Sequence, residues 1–153
     1  VNAEWRLVKK RIWGSMDRYR SVEVLLRVLA FGENRAAYDG NLSRFLNDYM
    51  QDKTDGPIDG IGPINLSTSL AEVVARARQA LAAEHDRKLP LLVVEALLVA
   101  LFVHRDVASS PAKLAAAYAN MKARSSFASG ARYAVSNVDN VKKRLDAAIE
   151  AFA

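Results

Sequence analysis

Apolar residues in this chain recur at offsets of three, four and seven, the spacing of helices with one greasy face. Asn2 can cap a first helix running to about Trp13, with Trp5, Val8 and Ile12 on one stripe. Gly14 and Ser15 break it. A second helix opens near Ser21, whose hydroxyl suits the first orphan amides. Val24, Leu25, Val28, Leu29 and Phe31 give it a wide apolar face, and Gly32 is a plausible stop. Asn41 caps a third helix carrying Leu42, Phe45, Leu46, Tyr49 and Met50. Residues 52–66 hold Gly56-Pro57, Gly60 and Gly62-Pro63 and read as a loop, a hinge between helical groups 1–51 and 67–153.

Ser69 with Glu72 forms a capping-box pattern that opens a helix to about Glu84, with Leu70, Val73, Val74, Ala77 and Leu81 inward. Pro90 suits the first turn of the next helix, through about His104. The run from Leu89 to Val103 is apolar nearly all round and interrupted by Glu95. It falls short of the roughly 20 residues a membrane span needs, so it predicts a central core helix. Ser110-Pro111 repeats the cap-then-proline signal before a helix to about Arg124, with Leu114, Tyr118 and Met121 inward. Residues 125–136 hold four serines and Gly130 and read as a loop. A last helix runs from near Val138 to Phe152. Val138, Val141, Leu145, Ala148, Ile149 and Phe152 share one face, and Lys142, Lys143 and Arg144 cluster on its other side. No strand survives this reading. The expected fold is all-α, an irregular orthogonal bundle of about six to seven helices in one domain.

Composition agrees. Of 153 residues, 51% are hydrophobic and 25% charged, the balance of a folded globular chain. There is no cysteine, which removes disulfides, thiolate zinc sites and cysteine nucleophiles and suits a cytoplasmic setting. The chain starts at Val1 rather than Met and enters helical pattern almost at once, as a piece of a larger protein would.

Reactive chemistry is thin. His85 and His104 fall on different helices without carboxylates at ligand spacing, so both read as helix-end residues rather than metal ligands. Asp52, Asp55 and Asp59 lack the alternate acids and distant Glu of a calcium loop. Gly60-Ile61-Gly62 lacks both the third glycine of a dinucleotide fingerprint and the Gly-Lys-Ser/Thr of a phosphate loop. No serine sits in a Gly-x-Ser-x-Gly elbow. No catalytic residue, metal or cofactor is therefore expected. Basic residues carry more information, since the net charge is +5. Lys9, Lys10 and Arg11 crowd the first helix, Lys122, Arg124 and Arg132 bracket the serine-rich segment, and Lys142, Lys143 and Arg144 follow. Brought together, they would form a phosphate-binding surface; scattered, they are a solvated exterior.

One stretch adds a resemblance. Arg18, Glu23, Leu26, Arg27, Ala30 and Phe31 fall into the register of a helical segment found in GmrSD-like restriction proteins. Tyr38-Asp39-Gly40-Asn41-Leu42 and Phe45-Leu46-Asn47-Asp48-Tyr49-Met50 resemble the helix that follows in that family. Ser136-Asn137-Val138 with Arg144-Leu145 is similar, more weakly, to the end of its shorter members. Tyr19 stands where that pattern usually has Met, and Ser21 where it has Asp. The resemblance implies a helical region following a ParB-like, nucleotide-dependent domain that this chain lacks. That domain would be its partner, and the parent protein a nucleotide-dependent endonuclease. The family's chemistry lies outside this chain, so Arg18, Glu23 and Arg27 are expected to fix packing. The implied function is a non-catalytic helical domain of a DNA-directed defence protein that relays the state of its neighbour. The alternative is an independent basic module that binds nucleic acid. Neither reading involves a membrane.

Overall fold

The computed structural model describes residues 3, 5–8, 20–53, 57, 63–84 and 88–153. Residues 5–8 are helical, and seven further helices follow: α1 (Arg20–Asn34), α2 (Leu42–Asp52), α3 (Pro63–Ala80), α4 (Leu91–Val103), α5 (Pro111–Ala123), α6 (Ser125–Gly130) and α7 (Val138–Ala151). Short 3-10 turns extend α1 at Arg35–Ala37 and follow α3 at Ala82–Glu84. The described residues contain no strand, and the helices pack on one another as an all-α bundle.

The capping signals act where they stand. The Asn41 side chain accepts from the Arg44 amide at 3.0 Å and starts α2. Ser110 Oγ accepts from the Lys113 amide at 3.3 Å, with Pro111 as the first helical residue of α5. Asn137 accepts from the Asp139 amide at 2.9 Å and starts α7. Each bond satisfies a helix-end donor that would otherwise have no partner.

α4 is the axle of the fold. Every residue from Val94 to Phe102 is buried, and the helix packs against α1, α3 and α7. An apolar surface all round a helix is stable only with neighbours on most sides, and those three helices supply them. Fully burying a Leu or Phe side chain is worth about 1.5–3 kcal/mol, so Leu97, Leu98, Leu101 and Phe102 anchor the bundle. α3 lies against α5, and α6 lies along α7. One connected core runs from Trp5 to Phe152, drawing side chains from both sides of residues 54–62. No helix among the described residues is long and apolar enough to cross a membrane.

Four expectations change. Gly32 does not end α1, which continues to Asn34. A β-carbon on Gly32 would lie 2.5 Å from Phe102 Cδ1, so the glycine admits α4's largest ring instead of stopping a helix. α3 begins at Pro63, six residues before Ser69, and Ser69 and Glu72 are interior to it. Proline needs no amide at the first helical position, so Pro63 marks the helix start. Residues 125–130 form α6 rather than loop, with Phe127 and Gly130 buried. Tertiary contact with α7 outweighs the weak helix preference of serine and glycine there. On α7 the inward stripe is Val141, Arg144, Leu145 and Ala148, whereas Val138 stays largely exposed.

Candidate functional site

Beneath the surface between α1, α4 and α7 lies a set of charges in single file. Glu95 is 1% exposed in the middle of α4. Its Oε2 accepts from Arg27 Nη1 of α1 at 3.1 Å, and its Oε1 lies 3.6 Å from Arg144 Nη2 of α7. Arg27 also donates through Nε to Glu23 at 3.1 Å, one helical turn earlier. A buried carboxylate is tolerated only when paired, and here two guanidinium groups from two helices do so. Burial by itself would lower the Arg27 pKa, but Glu95 and Glu23 together outweigh it and hold that pKa above its ordinary value. For Arg144 the balance reverses: burial dominates and lowers its pKa despite the attraction of Glu95.

Arg144 has a second task. Its Nη1 donates to Gly130 O at 2.8 Å, at the end of α6, and to Val135 O at 3.1 Å, in the segment joining α6 to α7. Its Nε is buried without a hydrogen-bond partner. Tyr38 reaches the same segment, donating its hydroxyl to Ser136 O at 2.5 Å. Burial pushes the Tyr38 phenol above its ordinary pKa, and Glu95 adds to the shift. A small cavity of about 200 Å³ lies among Arg27, Tyr38, Glu95, Ser136 and Arg144. Beside it a wider groove of about 660 Å³ runs between the end of α1 and the start of α7, floored by Tyr38, Val141 and Leu145. Arg35 and Asp146 face each other across it at 3.8 Å.

The candidate basic residues separate into distinct fates. Lys9, Lys10, Arg11 and Arg18 lie outside the described residues. Lys122 pairs with Glu84 at 2.6 Å and sits 5.2 Å from the centre of the Tyr118 ring. Arg124 bonds Asn120 at 2.9 Å and Glu150 at 2.8 Å. Arg132, Lys142 and Lys143 are exposed, and none has an ion pair among the described residues. Arg144 must be withdrawn as a surface contact. It is 2% exposed and points into the core, because the α7 stripe that carries Val141, Leu145 and Ala148 also carries position 144. Glu23 and Arg27, expected to fix packing, form an ion pair four residues apart on α1.

His104 ends α4 as expected, with Nε2 2.9 Å from Ile149 O. His85, Asp55 and Asp59 lie outside the described residues. Among the described residues no group of three or more His, Asp or Glu is placed to hold a metal ion.

Sequence reasoning passed over Glu95, Tyr38 and Asn140. Glu95 carried a readable signal: an acid inside an otherwise apolar run must meet a cation if the run is buried. Tyr38 donates to Ser136 O, far away in sequence, and Asn140 Nδ2 donates to Tyr133 O in the irregular segment before α7, and neither bond leaves a periodic trace.

The site is thus a buried carboxylate clamped by two arginines, carrying above it an exposed segment tied to the same clamp, in an all-α bundle. No protein-family model, curated protein or solved structure matches the chain.

Proposed function

We propose that this chain is the non-catalytic helical domain of a GmrSD-like, DNA-directed defence protein, packing on a ParB-like nucleotide-dependent domain and relaying its state. The observation that carries the reading is where the resembling residues fall. Glu23 steadies Arg27, Arg27 reaches Glu95, and Phe31 stacks on Phe45 at 5.0 Å with Tyr38 edge-on at 5.4 Å. The resembling residues that the structure describes thus serve in packing contacts, as a scaffold domain requires. Val22 and Met50, both in the same stretch, are exposed apolar side chains that a neighbouring domain would cover.

The test uses the complete gene product containing this chain. Cells expressing it should resist a panel of phages, and Val22→Asp with Met50→Asp should lower that protection at least tenfold in plating efficiency. The same pair placed in the 153-residue chain should leave its helical circular dichroism unchanged. Nucleotide turnover or DNA cleavage by the pure chain would defeat the proposal, as would full protection by the doubly substituted protein.

A further inference from the structure

The segment 131–137, between α6 and α7, is held more firmly than its exposure explains. Ala134 has φ +44°, a left-handed conformation that a residue with a β-carbon adopts at a cost. Four successive carbonyls are nevertheless fixed by side chains. Asn140 Nδ2 donates to Tyr133 O at 2.9 Å and to Ala134 O at 3.3 Å. Arg144 takes Val135 O, and Tyr38 takes Ser136 O. The Asn137 amide closes the turn onto Ala134 O at 2.8 Å. All this holds residues that are not buried: Arg132 to Val138 are exposed, and Tyr133 is 75% exposed. Strain kept in place at the surface, with an aromatic ring projected into water, is the mark of a binding element rather than of a core.

Its charges say what it would bind. Across residues 131–143 the three cations Arg132, Lys142 and Lys143 outnumber the single acid, Asp139. Lys143 follows Asn140 by three positions and Lys142 follows Val138 by four, so each sits one helical turn from a residue beside the segment. An exposed ring next to Arg132 in the chain, with exposed Lys142 and Lys143 further along α7, suits a ligand with flat unsaturated faces and regularly spaced anions. A duplex buries its base faces by stacking, whereas a single strand offers them.

We infer that the 131–137 segment is a contact for single-stranded nucleic acid, in which Tyr133 stacks on an unpaired base and Arg132, Lys142 and Lys143 hold the neighbouring phosphates. Asn140, Arg144 and Tyr38 are positioning residues that fix the segment from beneath. The inference is carried by this geometry and is independent of the family resemblance, so it stands or falls apart from the phage-plating test.

The experiment is fluorescence anisotropy of a labelled oligothymidylate titrated with the 153-residue chain between about 50 and 200 mM salt. Three phosphate contacts to a single strand give a slope of about −2 in log affinity against log salt. Tyr133→Ala should weaken binding about tenfold or more, while Tyr133→Phe, which keeps the ring, should bind like the parent chain. Replacing Arg132, Lys142 and Lys143 together by Ala should flatten the salt dependence. All these positions are exposed, so thermal midpoints should stay close to that of the parent and show that the variants fold. Three results would overturn the inference: no salt-dependent binding, unaltered affinity of Tyr133→Ala, or tighter binding to a duplex of the same length. Protection of the segment by an adjoining protein domain in a chain that ignores the oligonucleotide would equally reassign it.

Discussion

Glu95 occupies a position where a leucine would meet no electrostatic cost, yet it is the buried carboxylate on which Arg27 and Arg144 converge. Removing its charge leaves two guanidinium groups facing each other at the centre of the fold. Breaking a buried pair by deleting one partner typically costs about 3–5 kcal/mol, because the remaining charge is stranded. Glu95→Gln should therefore lower the unfolding free energy read from urea denaturation by an amount in that range. Replacing Arg27, Glu95 and Arg144 together by Met, Leu and Met should recover part of the loss, since no charge then stays buried, the remainder being the hydrogen bonds of Arg144 to Gly130 O and Val135 O. Equal destabilisation of the single and triple variants would mean that packing, not charge, governs the site. Arg27 keeps its charge throughout: Glu95 and Glu23 hold its pKa above the ordinary value, and arginine is protonated at every ordinary pH.

At the scale of elements, the close approach of α6 to α7 depends on Gly130. A β-carbon there would lie 2.6 Å from Asn140 O and 2.9 Å from the Arg144 amide nitrogen, both main-chain atoms that cannot step aside. Gly130→Ala should destabilise the chain by the upper part of the usual overpacking range, about 1–3 kcal/mol. Thermal melts would check it, and a neutral result would mean that α6 can slide along α7. This contact also explains what the sequence left unread. Caps and stripes are local, so Asn41, Ser110-Pro111 and the faces of α3 and α5 could be read directly. α6 has no such signal: Ser125, Ser126, Ser129 and Gly130 favour a loop, and only the close fit against the following helix makes them helical. Gly32 misled for the same reason, since its partner Phe102 is seventy residues away. In the candidate site, the Glu23–Arg27 pair was legible because it lies within one helix. The inward turn of Arg144 was not, because a basic residue beside Lys142 and Lys143 looks like surface until its stripe is seen occupied by core residues.

For the molecule as a whole, α1 packs on α4 although residues 54–62 separate them, and Trp5 belongs to the same core as Phe152. Unfolding in urea should therefore be a single event. With Trp13 replaced by Phe, the fluorescence of Trp5, buried near the start of the chain, should change at the same midpoint as the circular dichroism of all the helices. Two separated midpoints would mean that the helices before and after that stretch fold independently.

The position of α4 bears on how the protein is born. Its coat is completed by α7, which leaves the ribosome last of the seven helices. At a synthesis rate of about 5–20 residues per second, the face of α4 that α7 covers stays open for several seconds in every nascent copy. Chaperones that hold emerging chains are its natural guardians in that interval, and a message truncated before Val138 would yield insoluble product however sound the remaining helices were.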